Sequence, residues 1–237
     1  MELSIVLPAY KEADNLKKIL PDIHNHVYKL NIDYEILIVD TVENMDDTEE
    51  ICKLNNATYI HRENGNLYGD AIRTGIKYAS GKYIIMMDAD GSHEPKSILD
   101  LYNKAKNEGY DIVIGSRYCK GGKTDNPLIL RAMSYILNLT YSIVFNLGIR
   151  DCSDSFRVYD AFKLKTLKLE CENFDIVEEI LIKFKSKFKN LKVAEVPIIF
   201  KKRDKGSSKR DLLKFIFSYL ITMKRLLKIK RTENNSY

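Results

Sequence analysis

Short apolar runs alternate with amphipathic segments along the first half of the chain. The runs are rich in β-branched residues and bounded by polar ones, which is typical of buried strands. They cover 3–7, 34–39, 57–60, 83–87 and 111–115. The segments between them carry apolar residues at helical spacing and cover 13–30, 46–56, 69–80 and 95–108. This alternation predicts an α/β fold with a mostly parallel central sheet and helices on both faces.

The second half of the chain departs from this pattern. A long apolar segment, 128–149, is interrupted by polar residues, so we do not predict that it crosses a membrane. A short strand near 155–159, a helix near 175–189 and a strand over 192–200 follow it. The basic stretch 211–231 is expected either to lie on a bilayer surface or to pack on its own domain.

Acidic side chains follow the predicted strands at the point where each strand ends. Glu12 follows the first strand, Asp40 the second, and Asp88 with Asp90 the fourth. Because parallel sheets bind ligands at the carboxyl ends of their strands, we expect these side chains along one crevice. Asp88 and Asp90 would face the same spot if the strand continued through Ala89, since alternate residues of a strand share a side.

Two adjacent carboxylates are costly unless a proton or a cation lies between them. A small number of hard oxygen ligands, with room for water and a phosphate, favours Mg²⁺ or Mn²⁺. The alternative, which D-x-D alone favours, is that both aspartates cap the helix beginning near Pro95. A calcium loop is excluded because its sixth and twelfth positions hold His93 and Leu99. The segment DADGS also resembles the aspartyl nucleophile of haloacid-dehalogenase-like phosphatases, where it follows the first strand.

Charge is distributed unevenly along the chain, whose net charge is +5. Residues 183–231 contain 17 Lys and Arg against 3 Asp and Glu. Such a region suits a nucleic acid, an anionic membrane surface or a phosphorylated ligand, or is simply a solvated face. We expect no nucleic acid, since no known binding module is present. We divide the chain into a domain over 1–210 and a basic amphipathic helix and tail over 211–237.

Cysteine usage and the N-terminus bear on the compartment. The four cysteines lie far apart without a C-x-x-C pair, which argues against a disulfide framework and for a reducing compartment. The N-terminus opens directly into a predicted strand and shows no signal peptide. A cytoplasmic location is therefore expected.

Taken in order, the motifs resemble the family-2 inverting glycosyltransferases of the nucleotide-sugar-binding (GT-A) fold, and within them the dolichyl-phosphate mannose synthase branch. The resemblance covers about residues 3 to 210. It is carried by SIVLPAYKEADNL (4–16), YEILIVDTVENMDDT (34–48), GDAIRTGIKYASGKYIIMMDADGSHEP (69–95), DIVIGSRY (111–118), DCSDSFRVY (151–159), EVPIIF (195–200), Arg203 and Lys209.

This resemblance implies transfer of a sugar from GDP-mannose or a UDP-sugar to a polyprenyl (dolichyl-type) phosphate, with Mg²⁺ or Mn²⁺ as cofactor. It implies that Asp88, Asp90 and Arg117 are catalytic, and that Asp88, Asp90 and Ser92 contact the metal. The residues implied in nucleotide-sugar binding are Pro8, Tyr10, Glu12, Asp40, Asp88, Ala89, Asp90, Arg117, Arg203 and Lys209. Those implied at the acceptor phosphate are Arg117, Arg131 and Ser134.

Several points stay open at the level of sequence. The family usually has two aspartates after the second strand, whereas this chain has Asp40 and Thr41, so the nucleotide is GDP or UDP. A soluble transferase acting on a glycan or another hydroxyl acceptor is the alternative, and it needs a catalytic base, for which Asp154, Glu178 and Glu179 are candidates.

The resemblance also bears on attachment to a membrane. Some relatives carry transmembrane helices after the catalytic domain or borrow them from a partner, so a membrane-anchoring partner subunit is compatible with the resemblance. Because no transmembrane segment is predicted up to Tyr237, we expect peripheral association with the cytoplasmic face of the membrane.

Overall fold

The structure is a computed structural model that describes residues 1–201 and 221–231. The strands are β1 (Leu3–Pro8), β2 (Tyr34–Asp40), β3 (Thr58–His61), β4 (Tyr83–Met86), β5 (Ile112–Ser116), β6 (Lys123–Thr124), β7 (Arg157–Asp160), β8 (Val193–Pro197) and β9 (Ile199–Phe200). The helices are α1 (Ala13–Val27), α2 (Thr48–Leu54), α3 (Tyr68–Tyr78), α4 (Ser97–Glu108), α5 (Leu128–Phe145), α6 (Ala161–Lys165) and α7 (Ile176–Lys187). Residues 221–231 are also helical, and a 3₁₀ turn, Tyr28–Leu30, follows α1.

A seven-stranded sheet forms the centre of the fold, in the order β3-β2-β1-β4-β7-β5-β8. All neighbours pair in parallel except β7, which runs antiparallel to both β4 and β5. The predicted mostly parallel sheet is therefore confirmed. The short strands β6 and β9 pair with each other outside this sheet.

Helices cover both faces of the sheet because successive strand residues point to opposite sides. In β1, Ile5 and Leu7 enter the core beneath α1, α2 and α4, whereas Val6 enters the core beneath α3, α5, α6 and α7. Both cores consist of residues with little or no exposed surface. The runs predicted as strands are apolar throughout because both of their faces are buried.

Two predicted strands differ from the structure. Strand β4 ends at Met86, so the acidic pair lies in a loop and the strand does not continue through Ala89. The run 192–200 divides after Pro197, where the backbone of Ile198 bonds to Ser116 and the chain turns to pair with β6. These breaks bring the end of β9 against the acidic loop, since the N–H of Lys201 donates to the carbonyl of Ser92 at 2.9 Å.

Helix α5 lies on the domain with one face only. Asn138, Tyr141 and Phe145 are buried, and the rest of the helix is largely exposed. Contrary to our expectation for this segment, α5 is long and apolar enough to cross a membrane by length and composition, and it is the one such helix in the described part of the chain. Because its polar Asn138 is buried in the domain, that measure alone does not indicate a span.

The described part of the C-terminal segment packs on the domain. Leu226 is fully buried in the core beneath α5 and α7. Lys230 donates to the carbonyl of Val144 at 3.3 Å, and Arg225 pairs with Asp175 at 3.3 Å. The domain boundary predicted at residue 210 lies outside the described residues and stays a prediction.

Candidate active site

The carboxyl ends of three adjacent strands meet at one edge of the sheet. Strand β1 lies between β2 and β4, with Pro8 opposite Val39 and Val6 opposite Met86. Pro8 and Asp40 are the last residues of β1 and β2, and the loops that follow β1 and β4 contain Tyr10, Glu12 and the pair Asp88–Asp90. The fold therefore gathers the predicted donor residues at a single edge, as expected for a parallel sheet.

The two aspartates of the acidic loop are held differently. Asp88 Oδ1 accepts hydrogen bonds from Ser155 Oγ at 2.9 Å and from Tyr68 OH at 3.4 Å. Asp90 Oδ1 accepts from the backbone N–H of Ser92 at 3.0 Å and from its hydroxyl at 2.5 Å. Gly91 has φ +80°, a conformation that favours glycine and turns the chain between Asp90 and Ser92.

The helix-capping alternative is not what the structure shows. Helix α4 begins after Lys96, and no side chain caps its N-terminus. Asp88 and Asp90 bond instead to Ser155, Tyr68 and Ser92, none of which belongs to α4. The carboxylates therefore form hydrogen bonds that hold the acidic loop, and they do not cap the helix.

Electrostatics makes the acidic loop receptive to a cation. Burial raises the pKa of Asp88, and the neighbouring charges of Asp90 and Asp154 raise it further, against the opposing effects of His93 and Ser155. Like charges that raise a carboxyl pKa are relieved by a cation between them. Two carboxylates fit Mg²⁺ or Mn²⁺ shared with a diphosphate, because Mg²⁺ is usually bound through one or two carboxylates, waters and phosphates.

Other ligands to such a cation are few. Across residues 1–201 and 221–231, no group of three or more His, Cys, Asp or Glu side chains is arranged to hold a metal ion. The donor set thus suits an ion bound together with substrate rather than an all-protein cage. Ser92 is fully buried and donates its hydroxyl to Asp90, so it supports that carboxylate, and its contact with a metal stays a prediction.

Arg117 follows β5 and is held by acidic residues. Its Nε and Nη2 atoms donate to the Asp151 carboxylate at 2.8 and 2.7 Å, and Nη2 also donates to Ser153. Asp154 Oδ2 lies 3.3 Å from Nε. These carboxylates raise the pKa of Arg117 although its burial opposes the charge. No described residue accepts a hydrogen bond from Nη1, so that group stays available to an anionic ligand.

The end of β2 contributes a buried carboxyl to this edge. Asp40 has 1% of its surface exposed and accepts a hydrogen bond from Tyr59 OH at 3.2 Å. Its Oδ1 atom has no hydrogen-bond partner among the described residues. Burial raises its pKa, with Asp46 adding to the effect while Thr41, Tyr59 and Arg62 oppose it.

Tyr10 and Glu12 lie in the loop after β1, at the same edge of the sheet. Tyr10 is 56% exposed and extends from the loop after β1. Glu12 accepts a hydrogen bond from Asn15 at 2.6 Å. An exposed aromatic ring and a carboxylate at this edge can contact a base and a ribose.

Arg62 is a structural support for this edge that sequence reasoning missed. It directly follows β3 and is 7% exposed. Its Nη2 donates to the carbonyl of Ala9, and its Nη1 donates to those of Asn66 and Leu67 at 2.7 and 3.3 Å. It therefore ties the loop after β1 to the loop before α3. An arginine directly after an apolar strand was the available signal.

The predicted acceptor residues Arg117, Arg131 and Ser134 all act on Tyr118. The hydroxyl of Tyr118 interacts with Ser134, and the charges of Arg117 and Arg131 both lower its pKa, although burial raises it overall. The ring of Tyr118 meets Tyr135 edge-on at 5.6 Å. The start of α5 therefore lies beside Tyr118, with Arg117 and Arg131 near enough for their charges to lower its pKa.

Asn138 anchors α5 to the loop that holds Arg117. Its side-chain oxygen accepts from the N–H groups of Cys152 and Ser153 at 2.7 and 3.0 Å. Its nitrogen donates to the carbonyl of Ser134 at 2.9 Å. Sequence reasoning noted Asn138 only as an interruption of an apolar segment, because periodicity does not reveal what a buried amide bonds to.

Two of the three candidates for a catalytic base, Asp154 and Glu179, are engaged in structural contacts. Burial would raise the pKa of Asp154, but its neighbours His93 and Arg117 lower that pKa overall. Glu179 accepts from the N–H groups of Glu170 and Cys171 and pairs with Lys183 at 3.0 Å. Glu178 is buried, and burial raises its pKa to about 7.

His93 underlies the acidic loop and was treated by sequence reasoning only as a position that excludes calcium. Its Nδ1 accepts from the N–H of Asp88 at 3.1 Å, and its Nε2 lies 3.2 Å from Asp154 Oδ1. Burial lowers the pKa of the ring, but the carboxylates of Asp154, Asp88 and Asp90 raise it overall. The hydrogen bond accepted by Nδ1 requires that atom to be unprotonated, and on that geometry we describe the ring as neutral.

Arg203 and Lys209, the other predicted phosphate contacts, lie outside the described residues.

Comparison with known proteins relates this chain to a known family. Residues 4–168 match Glycosyl transferase family 2. The chain is 36% identical over 236 residues to a dolichol-phosphate mannosyltransferase of Pyrococcus furiosus, covering 96% of this chain and 64% of that protein. It therefore spans somewhat less than two thirds of that relative. It is 31% identical over 203 residues to an uncharacterized protein of Methanocaldococcus jannaschii, covering 83% of this chain and 80% of that protein.

Solved structures with the same fold include the glucosyl-3-phosphoglycerate synthase of Mycobacterium tuberculosis. Its complex with Mn²⁺, UDP and glucosyl-3-phosphoglycerate superposes with a TM-score of 0.70 at 18% identity, covering 96% of this chain and 79% of that one. Its complex with Mg²⁺ and UDP gives a TM-score of 0.71 at 16% identity, covering 95% and 79%. At this identity the likeness shows the GT-A fold alone.

Proposed function

Because this chain belongs to glycosyl transferase family 2, we propose that it transfers a sugar from GDP-mannose or a UDP-sugar to a polyprenyl phosphate of dolichyl type, with inversion. That it is a glycosyltransferase follows from the family. The donor, the metal and the acceptor are the proposal. The single observation that carries it is the acidic loop after β4, where two carboxylates meet the carboxyl edge of the sheet.

The donor is assigned to the edge formed by β1, β2 and β4. Pro8, Tyr10, Glu12 and Asp40 contact the nucleotide, and the segment Asp88–Asp90 contacts the sugar diphosphate. Asp88 and Asp90 hold Mg²⁺ or Mn²⁺, which supplies positive charge where the leaving diphosphate becomes more negative. The mycobacterial synthase is named as a complex of UDP with Mn²⁺ or with Mg²⁺, which is consistent with this assignment.

The acceptor is assigned to the group around Tyr118. A lipid phosphate is ionised at neutral pH, so the enzyme needs no strong base and has mainly to place two anions in line. Arg117, Arg131 and Ser134 are the donors that we assign to this phosphate, with Arg117 using Nη1. Asp154 and Glu179 are both engaged in ion pairs, which supports a phosphate rather than a hydroxyl acceptor. The Pyrococcus relative is named as a dolichol-phosphate mannosyltransferase, which points to the same acceptor.

The exposed face of α5 is assigned to the membrane surface. Its outward residues are large, apolar and well exposed: Leu128 78%, Ile129 69%, Ile136 60%, Leu139 46% and Ile143 70%. The opposite face is fixed in the domain by Asn138, so the helix lies along the molecule with its apolar side outward. Such a helix suits the boundary between head groups and acyl chains.

Basic residues flank this apolar face. The helix 221–231 contacts the end of α5 through Lys230 and carries exposed basic side chains, at Lys224, Arg225, Lys228 and Arg231. Positive charge beside an apolar face favours anionic lipid. We therefore propose peripheral association with the cytoplasmic face of a membrane. A membrane-anchoring partner subunit stays a prediction from the resemblance.

The donor assignment is tested by thermal stabilisation of the purified protein against a panel of nucleotide sugars, with and without Mn²⁺ or Mg²⁺. A ligand that binds the folded state at 100 times its Kd stabilises it by about 2.7 kcal/mol. We expect GDP-mannose or one UDP-sugar to raise the melting temperature, and the shift to need the metal. Equal melting temperatures with every nucleotide sugar would rule out the assignment.

A further inference from the structure

His93 is enclosed beneath the acidic loop. Its side chain has no exposed surface. The ring stacks on Phe156 with centroids 4.9 Å apart and meets Phe200 edge-on at 5.4 Å. Two aromatic neighbours at these distances fix the plane of the ring, and Nδ1 faces the backbone of the acidic loop, where it meets the N–H of Asp88.

Each ring nitrogen has a neighbour of defined chemistry. Nδ1 accepts a hydrogen bond from the N–H of Asp88 at 3.1 Å, so the proton of the neutral ring lies on Nε2. Nε2 lies 3.2 Å from Asp154 Oδ1, and Asp154 Oδ2 lies 3.3 Å from Arg117 Nε. The ring therefore connects the first aspartate of the acidic loop with the ion pair that holds Arg117.

We propose that His93 is a positioning residue for the donor, because it fixes the backbone of Asp88 in the conformation that a metal-bound nucleotide diphosphate requires. The proposal rests on the proposed function, since it assigns His93 a role toward the donor. The side chain of Asp88 is already held on Oδ1 by Ser155 and Tyr68. Fixing its N–H as well determines the direction of the second oxygen, Oδ2, which is the one left for a metal.

A half-buried histidine outside the acidic loop offers a comparison within the same chain. His24, on α1, is bonded through Nδ1 to Tyr34 OH at 2.6 Å and through Nε2 to the carbonyl of Asn55 at 2.7 Å. Neither partner belongs to the acidic loop or to its supports. The variant His24→Phe therefore removes two hydrogen bonds of an imidazole without touching the donor edge.

The test measures binding without turnover, by calorimetry of UDP and GDP in the presence and absence of Mn²⁺. His93→Phe keeps the ring shape and removes both nitrogens, whereas His93→Asn keeps an acceptor near the position of Nδ1. Loss of a residue that orients a metal ligand typically weakens binding about 10- to 100-fold. We expect that loss in Mn²⁺-dependent nucleotide affinity for His93→Phe, most of it recovered in His93→Asn, and unchanged affinity for His24→Phe.

Two results would overturn the assignment to His93. One is wild-type affinity in His93→Phe, and the other is an equal loss of affinity in His24→Phe, which would mark a general effect of stability. If the wild-type protein binds neither nucleotide with Mn²⁺, the proposed function fails and the inference fails with it. Normal binding by His93→Phe leaves the proposed function intact, so the two failures are distinguishable.

A spectroscopic measurement keeps the test independent of the Phe variant's folding. Nitrogen-15 NMR of the imidazole in the wild-type protein is expected to show Nε2 protonated and Nδ1 unprotonated. The Asp88 amide is expected to exchange slowly with solvent in the wild type and in His93→Asn, because it is bonded in both. A proton on Nδ1, or rapid exchange of that amide in the wild type, would contradict the proposal.

Discussion

Glu178 lies in the first turn of α7 and is buried beside Arg157, and its burial raises the carboxyl pKa from 4.5 to about 7. Between those two values the folded protein retains a proton that the unfolded chain has lost. The free energy of unfolding therefore falls as pH rises from 4.5 to about 7. The stabilising contribution of the protonated Glu178 carboxyl is complete only below about pH 4.5.

The variant Glu178→Gln should remove this pH dependence, because the amide does not titrate. Relative to the wild type, it is expected to gain stability between pH 5 and pH 8 by up to about 3 kcal/mol, from a shift of roughly 1.36 kcal/mol per pKa unit. Urea unfolding of both proteins across this range measures the difference. If the stability of the two proteins changes with pH in parallel, the pKa of Glu178 is not raised in the folded protein.

Asp90→Asn tests the acidic loop. Loss of a carboxylate proposed to hold the metal ion beside the departing diphosphate should lower kcat by about 10²- to 10³-fold. The folded state should keep its stability, since a repulsive charge beside Asp88 is removed. Asp100→Asn, on the exposed face of α4, is the matched control and should keep full activity. Equal activity of Asp90→Asn and Asp100→Asn would argue against a role for Asp90 in the reaction.

At this scale, the sequence indicates which residues lie at the donor edge but not what supports them. Asp40, Asp88 and Asp90 could be placed because each follows an apolar run, and the ends of parallel strands meet. His93 also contacts Asp154, and Arg62 also contacts Ala9, both in loops far away in the chain. Nothing in the local pattern marks those long-range contacts.

Among the elements, α5 connects the acceptor site with the proposed membrane surface. Replacing Ile136 and Ile143 by Glu places two charges on its exposed face. Both positions are at least 60% exposed, so folding and nucleotide binding should be unchanged. Binding to vesicles and transfer to a lipid acceptor should fall at least tenfold, because burying apolar side chains in the interface drives association.

Vesicle co-sedimentation of the double variant measures this effect. Leu54→Glu, on α2 and 72% exposed, is the control, since it places a charge on an apolar residue away from α5. Loss of vesicle binding in the control to the same degree would indicate a general effect of charge. Full binding by the double variant would remove α5 from the proposed membrane surface.

The elements themselves were predicted well where both faces of a strand are buried. Strands β1 to β5 begin and end within two residues of the predicted runs, since buried parallel strands are short and apolar throughout. The antiparallel direction of β7 and the break after Pro197 were not predicted. Strand direction depends on how the chain returns to the sheet, and the break depends on pairing with β6, and neither leaves a periodic signal.

For the whole molecule, the distribution of charge predicts how association depends on salt. The region 183–231 has 17 basic and 3 acidic residues, although the chain as a whole has a net charge of only +5. Attraction of such a region to anionic lipid amounts to about 1 kcal/mol for each basic residue near the surface and is screened within about 8 Å at physiological salt. Binding to vesicles containing phosphatidylserine should therefore weaken as salt rises, while binding to neutral vesicles should be weak throughout. Salt-independent binding would assign the association to the apolar face of α5 alone.

The central claim is that the carboxylates of Asp88 and Asp90 direct transfer of a sugar from a nucleotide to a polyprenyl phosphate. The most direct measurement incubates the protein with labelled GDP-mannose or UDP-hexoses, dolichyl phosphate and Mn²⁺ or Mg²⁺, and counts the label extracted into organic solvent. The account predicts a labelled lipid with one donor, dependence on the metal, and at least a hundredfold loss in Asp90→Asn. No labelled lipid with any donor, or equal amounts from the wild type and Asp90→Asn, would contradict it.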